Sequence, residues 1–277
     1  MSNVIRTVAI QGERGSNSHI AAQQMLDSCV GILACTLSPD VVAAMLDGRA
    51  DAAVLPIENS LHGSVADHYD LLLEHPLRID GEHQLRIEHN LIAAPGVQLD
   101  DIRAILSHAV ALSQCRRFLA DFRQAQAQPF FDTAGSIRHI VEHRLRDTAG
   151  IAPRLAAEIY GADVVQANIE DHPENFTRFH LLRRADTAPP GSAANKISVA
   201  FSVEHRPGTL VRALEALTQT GANLTKIESR PVAGRPWEYV FFADLRFDGQ
   251  HVGAEAVLAA LHRTTNMVKE LGRYAAA

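Results

Sequence analysis

Thr177 and Arg178 are adjacent in the sequence and stand between two phenylalanines, Phe176 and Phe179. A guanidinium can hold a carboxylate through two parallel hydrogen bonds, and a hydroxyl can donate one hydrogen bond to an oxygen atom. The apolar run that begins at His180 predicts a strand, so the pair stands at the mouth of that strand. Two polar groups of this kind, held between aromatic side chains, are candidates for ligand binding or chemistry.

The first 185 residues alternate short apolar runs with segments of helical periodicity. The runs predicted as strands are 6–10, 51–57, 102–106, 130–131 and 148–151. The helices predicted to follow them are 19–26, 65–73, 109–122, 133–145 and 153–161. Repeated strand–helix units predict an α/β fold with a largely parallel sheet.

Small polar side chains cluster where a predicted strand ends and a helix begins. They are Ser16, Ser18, Asn59, Ser60, Ser107, Asp132 and Thr133. Taken singly, each fits a helix N-cap, because such side chains accept hydrogen bonds from the free N–H groups of a first helical turn. Together they line the carboxyl ends of strands, where open α/β sheets bind ligands, and helix N-termini there favour anions. The pattern predicts a small anionic substrate.

Lysine is confined to three positions, Lys196, Lys226 and Lys269, so the first 195 residues contain none. Schiff-base catalysis, a pyridoxal lysine and a phosphate-loop lysine are therefore excluded from that region. An anion bound there must be held by arginine, by histidine or by backbone N–H groups.

Composition argues against several other classes of protein. The 277 residues carry a net charge of −6 without any run of basic residues, which argues against a nucleic-acid partner. No segment approaches the roughly 20 apolar residues of a membrane span, and the short stretch before the first strand leaves no room for a signal peptide. Cys29, Cys35 and Cys115 lack metal-ligand spacing and predict reduced thiols in a cytoplasmic protein.

Residues 186–195 are small and polar and include Pro189-Pro190-Gly191, which is typical of an interdomain linker. Beyond them, the predicted order is strand 196–204, helix 208–219, strands 223–232 and 238–248, helix 253–265 and strand 266–274. This βαββαβ order is the ferredoxin-like pattern. The sequence therefore predicts a first domain over 1–185, a linker over 186–195 and a ferredoxin-like domain over 196–277.

Several segments resemble, in the correct order, the signature segments of prephenate dehydratases. They are Val54-Leu-Pro-Ile-Glu-Asn-Ser-Leu-His-Gly-Ser-Val65, Ile105-Leu-Ser-His108 with Gln114-Cys-Arg-Arg-Phe118, and Asn168-Ile-Glu-Asp171 with Asn175-Phe-Thr-Arg-Phe179. The C-terminal part resembles the ACT domain attached to those enzymes. Arg206-Pro-Gly-Thr-Leu210 matches its first-helix motif, and Glu228-Ser-Arg-Pro231 matches its ESRP motif.

The resemblance implies a decarboxylating dehydration, in which the dianion prephenate loses carbon dioxide and water to give phenylpyruvate. It also implies a catalytic domain of two lobes, built like a periplasmic binding protein, with the second lobe at about 85–165. The family needs no metal or organic cofactor, and the absence of lysine from the first 195 residues agrees with that.

The resemblance also assigns roles to residues. Thr177 matches the family's essential threonine and is expected to contact the leaving hydroxyl, since a departing hydroxide needs a proton or a strong hydrogen bond. Arg178 is expected to clamp a carboxylate, and Phe176 and Phe179 to exclude water and fix the rotamers of the pair. The other residues expected in the substrate cleft are Glu58, Asn59, Ser60, Ser18, Ser107, His108 and Thr133.

The resemblance to ACT domains implies feedback inhibition by L-phenylalanine. The expected effector-binding residues are Arg206, Pro207, Gly208, Thr209, Leu210, Asn223, Glu228, Ser229, Arg230 and Pro231. Gly208 allows backbone to approach a ligand closely at a helix start. Because domains of this type usually pair side by side, a homodimer or homotetramer with the effector at a subunit interface is expected.

Two departures from the family pattern concern the lining of the pocket. Ala109-Val110 stand where the family usually has Pro-Gln, and Asn17 precedes Ser18 where it usually has an aromatic residue or threonine. Arogenate dehydratase, whose substrate has an amino group where prephenate has a keto group, is the alternative activity. A non-catalytic, amino-acid-sensing binding protein is a further alternative, and it would need the arginine but not the hydroxyl.

Residues 139–143 match the H-x-x-E-H pattern of zinc proteases, with His139 and His143 on one helical face. The segment also continues a charged helix face with Arg138, Arg144 and Arg146, and 14 histidines in the chain make a chance match easy. We therefore expect an ordinary helix face without a metal.

Overall fold

A computed structural model describes residues 4–26, 29–187, 194–232, 234–235, 237–247 and 253–277. Most of the predicted linker, residues 188–193, lies outside the described residues. The chain forms two compact units, one of Val4–Ser64 with His83–Phe179 and the other of Val65–Glu82 with His180–Ala277. Each unit therefore draws on separated segments of the chain.

Strands and helices alternate through most of the first 184 residues. In chain order they are β1 (Thr7–Gln11), α1 (Asn17–Met25), β2 (Gly31–Cys35), α2 (Ser38–Leu46), β3 (Ala52–Asn59), β4 (Gly63–Ser64), α3 (Ala66–Glu74), β5 (Leu77–Arg86), β6 (Asn90–Ala93), a 3-10 turn (Leu99–Asp101), β7 (Ala104–Ser107), α4 (Ala109–Ser113), α5 (Arg116–Asp121), β8 (Gln126–Pro129), α6 (Thr133–Glu142), β9 (Thr148–Ala152), α7 (Arg154–Tyr160), β10 (Asp163–Gln166) and β11 (Phe176–Arg184).

The long helix predicted over 109–122 is instead the two short helices α4 and α5. The side chain of Asp171 explains the second start, because its two oxygens accept from Arg116 N and Arg117 N at 3.0 Å each. The strand predicted at 130–131 lies slightly earlier, as β8.

The first sheet has the strand order β2-β1-β3-β11-β5, with β4 paired to β3. β1 is parallel to both β2 and β3, with Val8 opposite Ile32 and Ala52. β1 and β3 are continuous, mostly buried apolar runs, as expected for parallel strands covered on both faces. The carboxyl ends of these two strands therefore lie at the same edge of the sheet.

The second sheet has the order β10-β6-β9-β7-β8. β7 is parallel to β8 and β9, while β6 is antiparallel to β9 and β10. The prediction of a largely parallel sheet is therefore wrong for β6 and β10. Buried aliphatic side chains on strands and on α6, among them Ile105, Ile137, Ile140 and Ile151, form the core beside this sheet.

The predicted βαββαβ order is confirmed in the C-terminal part of the chain. Its elements are β12 (Lys196–Ser202), α8 (Thr209–Thr218), β13 (Asn223–Pro231), β14 (Tyr239–Arg246), α9 (Ala254–Thr264) and β15 (Met267–Tyr274). The strands form one sheet in the order β13-β14-β12-β15. Val199 and Phe201 of β12, Leu217 of α8 and Leu261 of α9 are buried in its core.

Helix α3 and the first part of β5 belong to the same unit as this C-terminal sheet. A Cβ atom on Gly272 of β15 would stand 2.2 Å from the Ile79 carbonyl oxygen, so only glycine allows this approach of two backbones. Lys269 Nζ donates to the carbonyl oxygens of Leu72, Leu73 and His75, each at 2.8 Å. The ammonium thereby satisfies carbonyl groups that the end of α3 leaves without helical partners.

Candidate functional site

The side-chain amide of Asn59, at the end of β3, is the centre of the candidate site. Its Nδ2 atom donates to Asn175 Oδ1 at 2.8 Å, to Thr177 Oγ1 at 3.0 Å and to the Phe176 carbonyl oxygen at 3.1 Å. An amide NH2 group has two hydrogens, so the three acceptors share them. Because Thr177 Oγ1 accepts this bond, its own hydrogen points elsewhere and can be donated to a ligand.

The hairpin of β3 and β4 fixes the same amide from its other end. Asn59 Oδ1 accepts from Leu61 N and His62 N, both at 3.0 Å. Ser60 N donates to the Phe176 carbonyl at 2.8 Å, and Ser60 Oγ accepts from Phe176 N at 3.0 Å. Asn59 and Ser60 thus join the hairpin to the start of β11, and neither residue caps a helix, since α3 begins later.

Arg178 forms an ion pair with Glu58, with 2.9 Å between NH2 and Oε2. Because β11 begins at Phe176, Thr177 and Arg178 lie inside the strand, where consecutive side chains point to opposite faces. The hydroxyl is therefore on one face of β11 and the guanidinium on the other. This geometry separates two groups that the sequence places side by side.

The two phenylalanines of this segment also lie on opposite faces of β11. Phe179 is 1% exposed and lies on the face of Thr177, whereas Phe176 is 40% exposed. The burial of Phe179 suits the expected role of excluding water, whereas the exposure of Phe176 does not suit the same role expected of it.

A second polar group surrounds Asp132, the N-cap of α6, whose Oδ1 accepts from Gly135 N at 2.6 Å. Burial raises the pKa of the Asp132 carboxyl above its ordinary value. The hydrogen bonds from the N–H groups of Gly135 and Glu13 and the charge of His108 oppose that effect. The carboxyl thus lies beside His108 and the loop between β1 and α1.

The loop between β1 and α1 lies against the helices of the second sheet. Glu13 pairs with Arg138 of α6 at 2.9 Å. A Cβ atom on Gly15 would stand 2.7 Å from the Ala156 Cα atom of α7, so the close approach requires glycine. The loop therefore bridges the two sheets of this unit.

Ser107 and His108, both predicted in the cleft, have partners at the end of β7. Ser107 is buried and its hydroxyl donates to the Ile151 carbonyl at 2.6 Å, which ties β7 to β9. His108 is the N-cap of α4, because its Nδ1 atom accepts from Val110 N at 3.3 Å. The hydroxyl of Ser107 is thus used to join two strands of the sheet, whereas the side chain of His108 lies beside the carboxyl of Asp132.

Ser18 and Thr133 each lie just inside a helix rather than at its cap. Ser16 caps α1, since its hydroxyl accepts from His19 N, and Ser18 is buried in the first turn. Thr133 is the first residue of α6, after the cap Asp132. The structure thus assigns the capping roles to Ser16 and Asp132.

Three further residues contact the candidate site and were not predicted to belong to it. Asn175 accepts from Asn59 and directly precedes the Phe-Thr-Arg-Phe segment. Its position in that motif could therefore have identified it as a site residue. His62 and Gln114 contact each other through His62 Nδ1 and Gln114 Nε2 at 3.1 Å. They are 52 residues apart, and no local pattern connects them.

The C-terminal unit contains an open cavity of about 400 Å³. It is lined by residues 203–211, which include the predicted effector residues Arg206 to Leu210, and by Trp237, Glu238, Tyr239 and Phe241. Asn223 and the segment Glu228–Pro231 do not line this cavity. The two predicted effector motifs of one chain therefore do not meet at it.

No group of three or more His, Cys, Asp or Glu side chains suited to a metal lies among the described residues. In the H-x-x-E-H segment, His143 Nδ1 lies 2.9 Å from the His139 carbonyl at the end of α6. In the part of the chain that the structure describes, no helix has the length and apolar character needed to span a membrane.

Comparison with known proteins places the chain in a family. Residues 8–187 match the family described as prephenate dehydratase, and residues 197–265 match the ACT domain. The arogenate dehydratase/prephenate dehydratase 2, chloroplastic, of Arabidopsis thaliana is 37% identical over 96% of this chain and 72% of its own length. The chain belongs to the prephenate dehydratase family. It is a dehydratase, a carbon–oxygen lyase, with a C-terminal ACT domain.

Solved structures share this fold. The prephenate dehydratase of Arthrobacter aurescens in complex with L-Phe has a TM-score of 0.86 and 33% identity, over 97% of this chain and 89% of that one. A protein described as GqqA, a novel type of quorum quenching acylases, has a TM-score of 0.88 and 34% identity over 98% of each chain. The predicted fold class, a two-lobed catalytic domain like a periplasmic binding protein with a ferredoxin-like ACT domain, is confirmed.

We expect Asn59→Asp to separate the two roles of the amide. A carboxylate still accepts from Leu61 N and His62 N but cannot donate to Thr177 Oγ1, so the hydroxyl loses its fixed direction. We expect kcat to fall by roughly 10²-fold, as for other misplaced catalytic groups, with a loss of about 1–3 kcal/mol in the free energy of unfolding. Steady-state kinetics and urea unfolding measure the two effects, and an unchanged kcat would contradict this account.

Asn90→Asp is a matched control. Asn90 is buried, whereas Asn59 is half-buried, and Asn90 Nδ2 donates to the Ala152 carbonyl while its Oδ1 accepts from Asn168 N, both at 3.3 Å. This variant should lose a similar free energy of unfolding without a comparable fall in kcat, because its partners do not include Thr177.

Proposed function

We propose that this dehydratase acts on prephenate and gives phenylpyruvate, water and carbon dioxide, with Thr177 at the leaving hydroxyl. One observation carries the proposal: Thr177 Oγ1 accepts a hydrogen bond from Asn59 at 3.0 Å, so its hydrogen is available to a ligand. A site that only held carboxylates would have no need of a hydroxyl fixed in this way.

The chemistry fits such a group. The bond between the ring and its carboxylate breaks, its electron pair enters the ring, and the C–O bond on the opposite ring carbon breaks. Aromatisation drives the reaction, and the departing hydroxide gains a proton to become water. A hydrogen bond from Thr177 to that oxygen is strongest in the transition state, when its charge develops. The alcohol itself is too weak an acid to supply the proton, which comes from water or a neighbouring acid.

The carboxylates of prephenate are at the opposite end of the ring from the hydroxyl, so they need a second set of partners. We assign a carboxylate to Arg178, whose guanidinium is fixed by Glu58 at 2.9 Å. His108, which caps α4 beside the Asp132 carboxyl, is a further candidate partner for the dianion.

We further propose that L-phenylalanine inhibits the enzyme by binding at the cavity beside Arg206 to Leu210. The complex of the Arthrobacter aurescens relative with L-Phe supports this effector. The segment Glu228–Pro231 does not line the cavity of its own chain, which favours a site between two chains for an effector that touches both motifs. This argument supports a homodimer or homotetramer, and we propose a cytoplasmic location.

Thr177→Ala should lower kcat by about 10²–10⁴-fold with little change in KM, because the lost hydrogen bond belongs to the transition state. Thr177→Ser retains the hydroxyl and should retain most of the activity. Stopped assays with prephenate measure both parameters. A near-normal kcat for Thr177→Ala would remove this residue from the mechanism.

Prephenate and arogenate should be supplied to the enzyme together, and the ratio of their kcat/KM values measured. We expect prephenate to be preferred, as the description of the matching family suggests. A ratio in favour of arogenate would select the alternative activity, which the name of the Arabidopsis relative also carries.

A further inference from the structure

The tip of the hairpin between β3 and β4 carries His62, whose ring lies against the end of α4. His62 Nε2 is 3.2 Å from Ser113 Oγ, and Gln114 Nε2 is 3.1 Å from His62 Nδ1. The amide of Gln114 is held in turn by His89, with 2.7 Å between His89 Nε2 and Gln114 Oε1. The ring of His62 thus ties the hairpin to the side chains of Ser113 and Gln114 at the end of α4.

The hydrogen bonds that link His89, Gln114, His62 and Ser113 form a series in which each side chain donates to the next. His89 is 2% exposed, and burial lowers its pKa against the effects of Gln114 and Glu170, so the ring is neutral and donates from Nε2. Gln114 Oε1 accepts that bond, and its Nε2 donates to His62 Nδ1. His62 then donates from Nε2 to Ser113 Oγ, which donates to the Val110 carbonyl at 2.7 Å.

The other end of this connection is the amide of Asn59. The backbone N–H of His62 donates to Asn59 Oδ1 at 3.0 Å, and the opposite end of that amide donates to Thr177 Oγ1. A movement of the hairpin tip therefore changes the direction in which the Asn59 amide points.

We propose that His62 is a positioning residue for the dehydration. Its ring ties the hairpin to Gln114 and thereby holds the amide of Asn59 on the hydroxyl of Thr177. The inference rests on the proposed role of Thr177. It goes beyond the family motif, because the role is assigned through contacts that this hairpin makes with the end of α4.

His62→Ala should lower kcat by roughly tenfold with little change in KM, since small displacements of catalytic groups are costly. His62→Gln, which keeps an amide able to accept from Gln114, should recover part of that loss. His143→Ala is the control, because His143 Nδ1 lies 2.9 Å from the His139 carbonyl at the C-terminal end of α6, the end opposite to the Asp132 cap. The control should keep the wild-type kcat. An unchanged kcat for His62→Ala would overturn the proposal.

The decisive comparison repeats His62→Ala in the Thr177→Ala background. If His62 acts through Thr177, it should have no further effect on kcat there. An equal loss in both backgrounds would overturn the proposal and leave a structural role. A wild-type kcat for Thr177→Ala alone would instead show that the proposed role of Thr177 is wrong, so the two failures are distinguishable.

A second inference concerns the segment 65–82, which is contacted by all three lysines of the chain. Lys196 Nζ donates to Glu82 Oε2 at 2.7 Å, and Lys226 Nζ lies 5.7 Å from the centre of the Tyr69 ring. Lys269 binds the carbonyl groups at the end of α3.

An arginine of the predicted effector motif, Arg230, binds a side chain of helix α3. Arg230 of β13 donates from Nε to Asp70 Oδ1 at 3.2 Å and from NH2 to Asp70 Oδ2. The bond to Asp70 raises the pKa of Arg230 above its ordinary value.

We infer that an amino-acid effector competes with Asp70 for Arg230. The effector's carboxylate suits the guanidinium as well as the carboxylate of Asp70 does. This inference rests on the proposed regulation by phenylalanine. It predicts that the ion pair with Asp70 opposes effector binding.

Asp70→Asn should bind phenylalanine roughly three- to tenfold more tightly than the wild type in calorimetry, because a partly exposed ion pair no longer competes. Inhibition should shift to lower concentration by the same factor. Glu74→Gln is the control on the same helix, since Glu74 makes no ion pair within the described residues. Unchanged or weaker binding to Asp70→Asn would overturn the inference. No binding to the wild type would show that the proposed effector is wrong.

Discussion

The orientation of the Asn59 amide is the constraint on which the candidate site depends. Its oxygen faces two backbone N–H groups of the hairpin tip, and its nitrogen faces three oxygen acceptors at the start of β11. A rotation by half a turn would place donors against donors and acceptors against acceptors. The amide therefore has one favourable orientation, and with it the hydroxyl of Thr177, 118 residues away in the sequence, has one donor.

Much of this arrangement could be predicted from the sequence because its parts are local. Thr177 and Asn59 lie within contiguous motifs, and the βαββαβ order follows from periodicity and turn residues. The contact between His62 and Gln114 could not be predicted, because it depends on how two sheets bring separate loops together. The adjacency of Thr177 and Arg178 in the sequence suggested that their side chains lie side by side. In a strand, consecutive side chains instead point to opposite faces.

Lysine is absent from the first 195 residues, and its three occurrences in the C-terminal part of the chain all contact one segment. Its absence from the first 195 residues excludes amine chemistry near Thr177 and leaves anion binding to arginine, histidine and backbone. Its presence at three positions in the C-terminal part of the chain, Lys196, Lys226 and Lys269, supplies the ammonium groups that contact the segment 65–82. That segment lies in one compact unit with the ACT domain, although it lies between β3 and β6 in the chain.

The central claim is that Asn59 acts on the reaction by directing the hydroxyl of Thr177. The most direct measurement is the kcat of the double variant Asn59→Asp/Thr177→Ala beside both single variants, since such a cycle isolates the coupling of two groups. If the amide acts through the hydroxyl, the double variant should be no slower than the slower single variant. Effects that multiply, as for two independent groups, would contradict the account.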